Sequence, residues 1–328
     1  MSLQTTIDGT VPDRLQSVWQ LLTCPVWNYD SHRIRAPLRA VLPLVITFLA
    51  FGLIVTVVRP RFQHPVRELL ELSLMGIVLG AAILGGGRVL DRRPVAGYGF
   101  ALEREWIYSF VVGGAVATLA NAGTMLVALA AGWATVSGFT QGAQSLPFLP
   151  GMLLVLVYIG VLASWEEFIF RGAMLKNLAE GADGYVPQWA AAGLAIVVST
   201  VIFALLHGGK ISDPLAYGYY VVAGLVFGVV YVLSGDLALP IGFHVFYNFT
   251  MSAVFGLGVS QQTPELIALD VVGPAFWIGE EGVARVVFAV VGGVLLVAYI
   301  RWRDGPLGVK DSVTAWTRLG GRNGSETE

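Results

Sequence analysis

Two adjacent carboxylates and an arginine interrupt a long apolar run near the middle of the chain. The stretch LVYIGVLASWEEFIFRGAML contains Glu166, Glu167 and Arg171. An ionisable side chain in lipid costs about 2 kcal/mol or more unless it faces a partner or a wet cavity, so these residues form a candidate functional site. Glu167 and Arg171, four residues apart, share a helix face and can form an ion pair. Glu166 lies about 100° further around the helix, where it could face a cavity and act as a general base.

Two later apolar runs each contribute a histidine. His207 ends the run VVSTVIFALLHGGK, one helical turn after Phe203, and the run LPIGFHVFYNF contains His244 and Asn248 on one helix face. Imidazole and amide N–H groups can together bind an oxygen that gains negative charge. Glu166 as base, His207 as a second group orienting water, and His244 with Asn248 as oxyanion donors make up the inventory for adding water to an amide carbonyl.

Each group taken alone could also be purely structural. The carboxylate–arginine group could be a buried ion-pair cluster, His207 a hydrogen-bonded interfacial residue, and the His244–Asn248 pair a polar clamp between helices. Intramembrane Glu, Arg and His also build proton relays, so a proton-coupled transporter is an alternative function. A binding scaffold of the bacteriocin-immunity type, without activity, is a third. The joint occurrence of all three groups in one half of the chain favours the enzyme.

The composition places these residues in a membrane protein. Of 328 residues, 55% are hydrophobic and only 13% charged, and the mean hydropathy is +0.71. Soluble proteins carry about 25% charged residues. The net charge of −2 gives no basic field that would indicate nucleic-acid binding. The single cysteine, Cys24, excludes an internal disulfide.

Apolar runs of about 20 residues predict an all-α, polytopic membrane bundle with about eight transmembrane helices. The predicted spans are 38–58, 69–87, 105–133, 150–172, 188–207, 215–233, 237–257 and 282–301. Divided by function, the chain gives a cytoplasmic or interfacial segment (1–37), accessory helices (38–149), a catalytic core (150–257), an outer loop with the last helix (258–301), and a tail (302–328) disordered at its end. The small-residue patterns Gly76-x-x-x-Gly80 and Gly224-x-x-x-Gly228 predict close helix contacts.

More Lys and Arg residues fall on the side of the two termini than on the other side, which favours an integral cell-membrane protein with both termini in the cytoplasm. We expect a substrate cavity open to the cytoplasm. Straight spans with these boundaries, however, place Glu166 and His207 at different depths, misaligned by several ångströms. Helix tilt, an interfacial helix in 172–187 or a later start of the fifth span could bring them together.

The motifs Glu166-Glu167-x-x-x-Arg171, Phe203-x-x-x-His207 and His244-x-x-x-Asn248, in this order on successive apolar runs, resemble those of the CPBP family of intramembrane proteases. That family includes the CAAX prenyl endopeptidases and the bacterial Abi-type, bacteriocin-associated proteins. The resemblance covers about 150–257. It implies an eight-helix endopeptidase in which Glu166 and His207 activate water, Glu167 and Arg171 support them, and His244 and Asn248 form the oxyanion hole.

The expected substrate is a membrane-associated protein or peptide, which for a CAAX protease is prenylated. Metal dependence stays open at this point. Glu166, His207 and His244 could ligate Zn²⁺ as a His₂Glu set with one position left for water. No His-Glu-x-x-His pattern is present, and the two histidines come from different spans, so a metal-free, glutamate-based route is slightly favoured.

Overall fold

The computed structural model describes residues 26–29, 31–143, 145–210, 216–258 and 263–316. Within these ranges, seven helical segments are long and apolar enough to cross a membrane. The helices of the bundle are α1 (Ala36–Val58), α2 (Val66–Leu90), α3 (Arg104–Ala130), α4 (Phe148–Ala182), α5 (Gln188–Leu206), α6 (Tyr217–Ser234), α7 (Ala238–Phe249, continued by the π-helix Thr250–Val254) and α8 (Val283–Asp304). The predicted all-α polytopic bundle is confirmed.

The predicted seventh span corresponds to α7, which is too short to count among those seven segments. Almost all of its side chains are buried against other helices. Its apolar residues therefore pack against protein rather than lipid, and α7 forms the centre of the bundle. Sequence hydropathy cannot separate these two environments, because both favour the same side chains.

Close backbone contact between α3 and α7 fixes the central helix. A Cβ atom on Gly242 would lie 2.1 Å from the carbonyl oxygen of Phe110, and one on Gly113 would lie 2.6 Å from the carbonyl oxygen of Leu239. No larger residue fits at either position without moving a backbone. Gly242 lies two residues before His244, so this contact helps to set the position of that histidine.

The two small-residue patterns behave differently. At Gly224 and Gly228 of α6, an added Cβ would meet side chains of α5 at 2.8 Å and 3.1 Å, which confirms close packing there. At Gly76 and Gly80 of α2, an added Cβ would have no neighbour within 4 Å among the described residues. The prediction of a helix contact at that second pair is therefore wrong. A spacing of four places two glycines on one face but does not say whether a helix lies against it.

Strands, which the sequence did not predict, lie before α1 and in two of the connections between helices. A small pair, β1 (Trp27–Asn28) and β2 (Arg33–Ile34), precedes α1. A longer strand, β3 (Ala134–Gln141), follows α3 and pairs antiparallel with β4 (Glu265–Val271), which precedes α8. The β3–β4 sheet joins two connections that lie at the end of the bundle opposite to the start of α1.

A buried polar cluster ties together the other end of the bundle. We define it as Arg33, Arg39, Asp91, Arg93 and Glu180. All three arginines contact the Glu180 carboxylate at 2.6–2.9 Å, and Asp91 accepts a further hydrogen bond from Arg39 at 2.9 Å. Buried charges of this kind are tolerated because each has a charged partner. The cluster links the segment before α1, the connection after α2 and the last turns of α4.

Several expectations fall on residues that the structure does not describe. Cys24 and most of the predicted interfacial segment 1–37 lie there, as does the end of the tail beyond 316.

Candidate active site

The carboxylates of α4 lie where its geometry changes. Glu166 and Glu167 end an α-helical part, and a π-helix, Phe168–Leu175, follows and contains Arg171. Short π-helical stretches inside α-helices occur frequently at functional sites. Arg171 Nη1 donates to Glu167 Oε1 at 3.2 Å, as the spacing predicted, and Arg171 Nη2 donates to the Gly224 carbonyl at 3.3 Å. Both charged side chains are fully enclosed, at 0% exposure for Glu167 and 1% for Arg171.

His244 is attached directly to this buried pair. Its Nδ1 lies 2.7 Å from Glu167 Oε1. Since Glu167 also accepts from Arg171, its oxygen acts as an acceptor and the histidine nitrogen as the donor. The imidazole stacks on the Phe227 ring, with ring centroids 4.8 Å apart. Its Nε2 lies 3.8 Å from Glu166 Oε2. Glu167 and Phe227 therefore fix the direction in which Nε2 points.

His207 reaches Glu166 from the other side. Its Nδ1 lies 2.7 Å from the Phe203 carbonyl oxygen, which can only accept, so Nδ1 again donates. The ring stacks on Tyr220, with centroids 4.3 Å apart. His207 Nε2 lies 3.9 Å from Glu166 Oε2. Both histidines thus present Nε2 to the same carboxylate oxygen.

The expected misalignment of Glu166 and His207 is wrong, because the predicted end of the fourth span was wrong. The sequence placed that end at 172, whereas α4 continues to Ala182. Only residues 183–187 connect α4 to α5. Counted along the chain, Glu166 and His207 lie at similar distances from this short connection, so antiparallel packing brings them to the same depth.

These residues border a large cavity. It has a volume of about 1240 Å³ and is lined by Glu166, His207, His244 and Asn248 among others. Glu167 and Arg171 do not line it and lie behind His244. The sequence had predicted this arrangement, with Glu166 facing a cavity and Glu167 paired with Arg171.

The cavity extends towards the end of the bundle that carries the β3–β4 sheet. Residues of four connections at that end line it, namely His64, Ala143, Ala216 and Thr263. The eight alternating helices place this end opposite to the start of α1. Cytoplasmic termini and a cavity open to the cytoplasm therefore exclude one another. Both were expected because α4 was predicted to end at residue 172, which placed Glu166 near the cytoplasmic end of this helix.

The donor set of Glu166, His207 and His244 suits a divalent metal in its chemistry, since two Nε2 atoms with Nδ1 fixed as donor face one carboxylate. Ligands of a tetrahedral Zn²⁺ with bonds of about 2.0–2.1 Å lie about 3.4 Å apart. The observed Nε2–Oε2 separations of 3.8 Å and 3.9 Å are longer. No group of three or more His, Cys, Asp or Glu side chains in the described ranges has a metal-holding arrangement.

Sequence reasoning missed several contacts of the site. The two histidines stack on Phe227 and Tyr220, which fall in the same apolar run; the sequence indicates only a packing hydrogen bond for Tyr220 and singles out nothing at Phe227. A packing hydrogen bond is also the prediction for Asn121, and it is confirmed, because its amide donates to the Tyr247 carbonyl at 2.7 Å and to Thr250 Oγ1 at 2.9 Å. These bonds hold α7 where its α-helix changes to the π-helix, close to Asn248. The available signal in the sequence was Asn121 itself, an isolated polar residue in an otherwise apolar helix.

Residues 146–250 match the family described as type II CAAX prenyl endopeptidase Rce1-like. The matched segment begins just before α4 and includes α5, α6 and α7 up to Thr250. Neither the curated proteins nor the solved structures compared with the chain gave a match. The family match coincides with the part of the chain that carries all six residues of the candidate site. It confirms the resemblance to the CPBP family of intramembrane proteases seen in the three motifs.

Proposed function

We propose that this protein hydrolyses a peptide bond of a membrane-associated protein or peptide in the cavity beside Glu166. The observation that carries the proposal is the convergence of His207 Nε2 and His244 Nε2 on Glu166 Oε2, each within 4 Å, at the cavity wall. Glu166 Oε2 is buried and has no hydrogen-bond partner among the described residues. A water molecule between this oxygen and the histidines would satisfy it.

In the proposed mechanism, Glu166 takes one proton from this water while His207 orients it. The resulting hydroxide oxygen bonds to the carbonyl carbon of the scissile peptide, whose carbonyl oxygen becomes negatively charged. The tetrahedral intermediate then breaks its C–N bond, and Glu166 returns the proton to the leaving nitrogen. A free carboxyl end and a free amino end result, so one water is consumed.

His244 and Asn248 are placed to stabilise the negative oxygen. Both line the cavity, four residues apart on α7. Because His244 already donates through Nδ1 to Glu167, its Nε2 can donate to an oxyanion only when the ring carries both protons. Glu166, 3.8 Å from that nitrogen, can exchange the second proton through one bridging water. Preorganised donors of this kind are worth about 10²–10³-fold in rate.

We further propose that the substrate is a CAAX-type protein tail, carrying a prenyl group beside the scissile bond. The matched family supports a CAAX-type protease. The cavity is large and much of its lining is apolar, including Leu154, Leu162, Val226 and Met251. Such a lining can take up a long hydrocarbon chain together with a short peptide.

The decisive test is Glu166→Gln in protein purified in detergent. We expect cleavage of a fluorescent peptide with a prenylated cysteine followed by three apolar residues to fall by at least about 100-fold, because the general base is lost. Glu105→Gln, the same change at an exposed glutamate of α3, serves as the control and should leave cleavage unchanged. Equal cleavage by wild type and Glu166→Gln would overturn the proposal. A proton-coupled transporter would instead show a pH-dependent flux in vesicles that changes in Glu166→Gln, with no cleavage by either protein.

A further inference from the structure

A buried arginine outside the matched family segment lines the same cavity. Arg285 is the third residue of α8, and its side chain is only 2% exposed. Its guanidinium lies over the rings of Tyr219 and Tyr247, 5.4 Å and 5.2 Å from their centroids. None of the three motifs includes this arginine.

Arg285 has no carboxylate within 4 Å among the described residues, and the charge of Glu280 acts on it only from further away. Nη1 donates to the main-chain carbonyl of Glu280 at 2.6 Å, Nη2 donates to Tyr219 Oη at 3.5 Å, and Nε is buried without a hydrogen-bond partner among the described residues. No ion pair links Arg285 to a carboxylate of any residue that the structure describes. Arg171, the other arginine beside this cavity, does have one. The hydrogen-bonding partners of buried Arg285 are therefore neutral groups, which offset its positive charge only in part.

The position on the helix adds to this excess of positive charge. The first turn of a helix carries free N–H groups and the positive end of the helix dipole, where an anion is stabilised and a cation is not. A buried cation at this end costs free energy unless an anion joins it. The two tyrosine rings reduce this cost but do not neutralise the charge.

We propose that Arg285 binds a carboxylate of the substrate and so sets where the peptide is cut. Guanidinium groups bind carboxylates through charge-assisted hydrogen bonds, which strengthen away from water. The carboxylate could be the free end of the chain or an Asp or Glu side chain. This inference rests on the proposed peptidase function and adds a recognition residue to it.

Helix geometry gives the spacing between the carboxylate and the scissile bond. Tyr247 follows His244 by three residues on α7, a rise of about 4.5 Å. With the guanidinium 5.2 Å from the Tyr247 ring, it lies on the order of 10 Å from His244. An extended peptide covers about 3.3–3.6 Å per residue, so the carboxylate lies roughly two to four residues from the bond that is cut.

The acidic residues near the cavity mouth restrict this binding to one place. Glu281 accepts a hydrogen bond from Tyr220 at 3.1 Å, and Glu280 contacts Arg285 through its main-chain carbonyl. Both glutamates also line the cavity and repel a carboxylate that is not paired with an arginine. Arg285 is therefore the point at which a substrate carboxylate is accepted.

The test compares three fluorescent peptides with one prenylated sequence. The first ends in a free carboxylate, the second in a carboxamide, and the third in a carboxamide with Glu three residues after the prenylated cysteine. Dissociation constants are measured on the Glu166→Gln background, and KM on the active protein. We expect the free acid to bind at least about tenfold more tightly than the amide, and Arg285→Gln to remove this difference. Arg285→Lys should keep part of it.

Arg301→Gln, the same change at an exposed arginine of α8, is the matched control and should leave the acid–amide difference intact. Tight binding of the third peptide would support the inference and assign the carboxylate to a side chain, whereas its weak binding would assign it to the chain end. Equal binding of all three peptides by the protein that keeps Arg285 would overturn the inference, even if Arg285→Gln failed to fold. Absence of cleavage with an intact acid–amide difference would overturn only the peptidase function.

Discussion

His244 Nδ1 lies 2.7 Å from Glu167 Oε1, and this hydrogen bond connects the cavity to the buried ion pair behind it. Glu167 has two partners on one oxygen, because Arg171 donates to the same atom. The carboxylate therefore orients the histidine, while the arginine holds the carboxylate. Of the two neighbouring glutamates, only Glu166 faces the cavity, so in the proposed mechanism Glu166 carries the chemistry and Glu167 supports it.

Glu167→Gln tests this orienting role. An amide oxygen can accept from both His244 and Arg171 but carries no negative charge, so both hydrogen bonds should weaken and His244 should be held less firmly in its direction. We expect kcat to fall by at least about tenfold with little change in KM. Steady-state kinetics on the prenylated peptide measures both constants, with Glu105→Gln as control. A change confined to KM would show that Glu167 acts on substrate binding instead.

Arg171 is expected to be essential for stability because its removal leaves Glu167 buried without its cation. Arg171→Met should lower the free energy of unfolding by about 3–5 kcal/mol. The double variant Glu167→Gln/Arg171→Met should lose less than the two single variants added together, since no isolated charge remains. Unfolding in detergent, followed by tryptophan fluorescence, gives the three values. Additive losses would contradict a direct coupling between the two side chains.

Gly242→Ala should disturb the centre of the bundle. The new Cβ would lie 2.1 Å from the Phe110 carbonyl oxygen, and a backbone atom cannot move aside as a flexible side chain can. We expect a loss of about 1–3 kcal/mol in unfolding free energy and a reduced kcat, because His244 lies two residues away. Gly80→Ala is the control, since nothing described lies within 4 Å of its added Cβ. A similar loss in both variants would rule out the close contact as the cause.

Membrane orientation can be tested with introduced cysteines in a Cys24→Ser background. Thr135→Cys lies in β3 beside the cavity mouth, and Asp183→Cys lies in the connection after α4, both at exposed positions. The distribution of Lys and Arg predicts that an impermeant thiol reagent labels Thr135→Cys in intact cells and Asp183→Cys only after permeabilisation. The opposite result would place the cavity mouth in the cytoplasm and both chain ends outside.

Metal dependence is a separate prediction. We expect cleavage to survive treatment with a strong zinc chelator, because Glu166 can activate water directly and the Nε2–Oε2 separations exceed those of a tetrahedral site. Elemental analysis of the purified protein should accompany the assay. Loss of activity that added Zn²⁺ restores would assign the two Nε2 atoms and Glu166 to a metal instead.

The residues of the site could be predicted from sequence because a charged side chain is costly in lipid and is rare there without a partner or a function. The spacing of four between Glu167 and Arg171 was enough to infer their ion pair, since both lie on one helix. The bond between Glu167 and His244 joins residues from two helices, and no spacing along the chain predicts it. Arg285 contributed only to the count of positive charges on one side of the membrane. It lies far from the motifs along the chain, so the sequence did not indicate that it lies near them in space.

Helix ends were the weaker part of the prediction. α4 continues past Gly172 because its later residues, including Asn177 and Glu180, are polar yet buried by the cluster at that end. Hydropathy registers such residues as the end of a span. The strands β3 and β4 were missed for a related reason, since each is stable only through pairing with a distant segment.

The polar cluster around Glu180 gives the bundle two unlike ends. Three arginines and two carboxylates bind the segment before α1, the connection after α2 and the last turns of α4 into one unit. The cavity mouth lies at the opposite end, between connections that the cluster does not reach. At the mouth, by contrast, the β3–β4 sheet joins the connections before α4 and α8 through main-chain hydrogen bonds. A substrate that enters the cavity therefore meets a hydrogen-bonded rim at one end, while charge pairing fixes α1, α2 and α4 to one another at the other end.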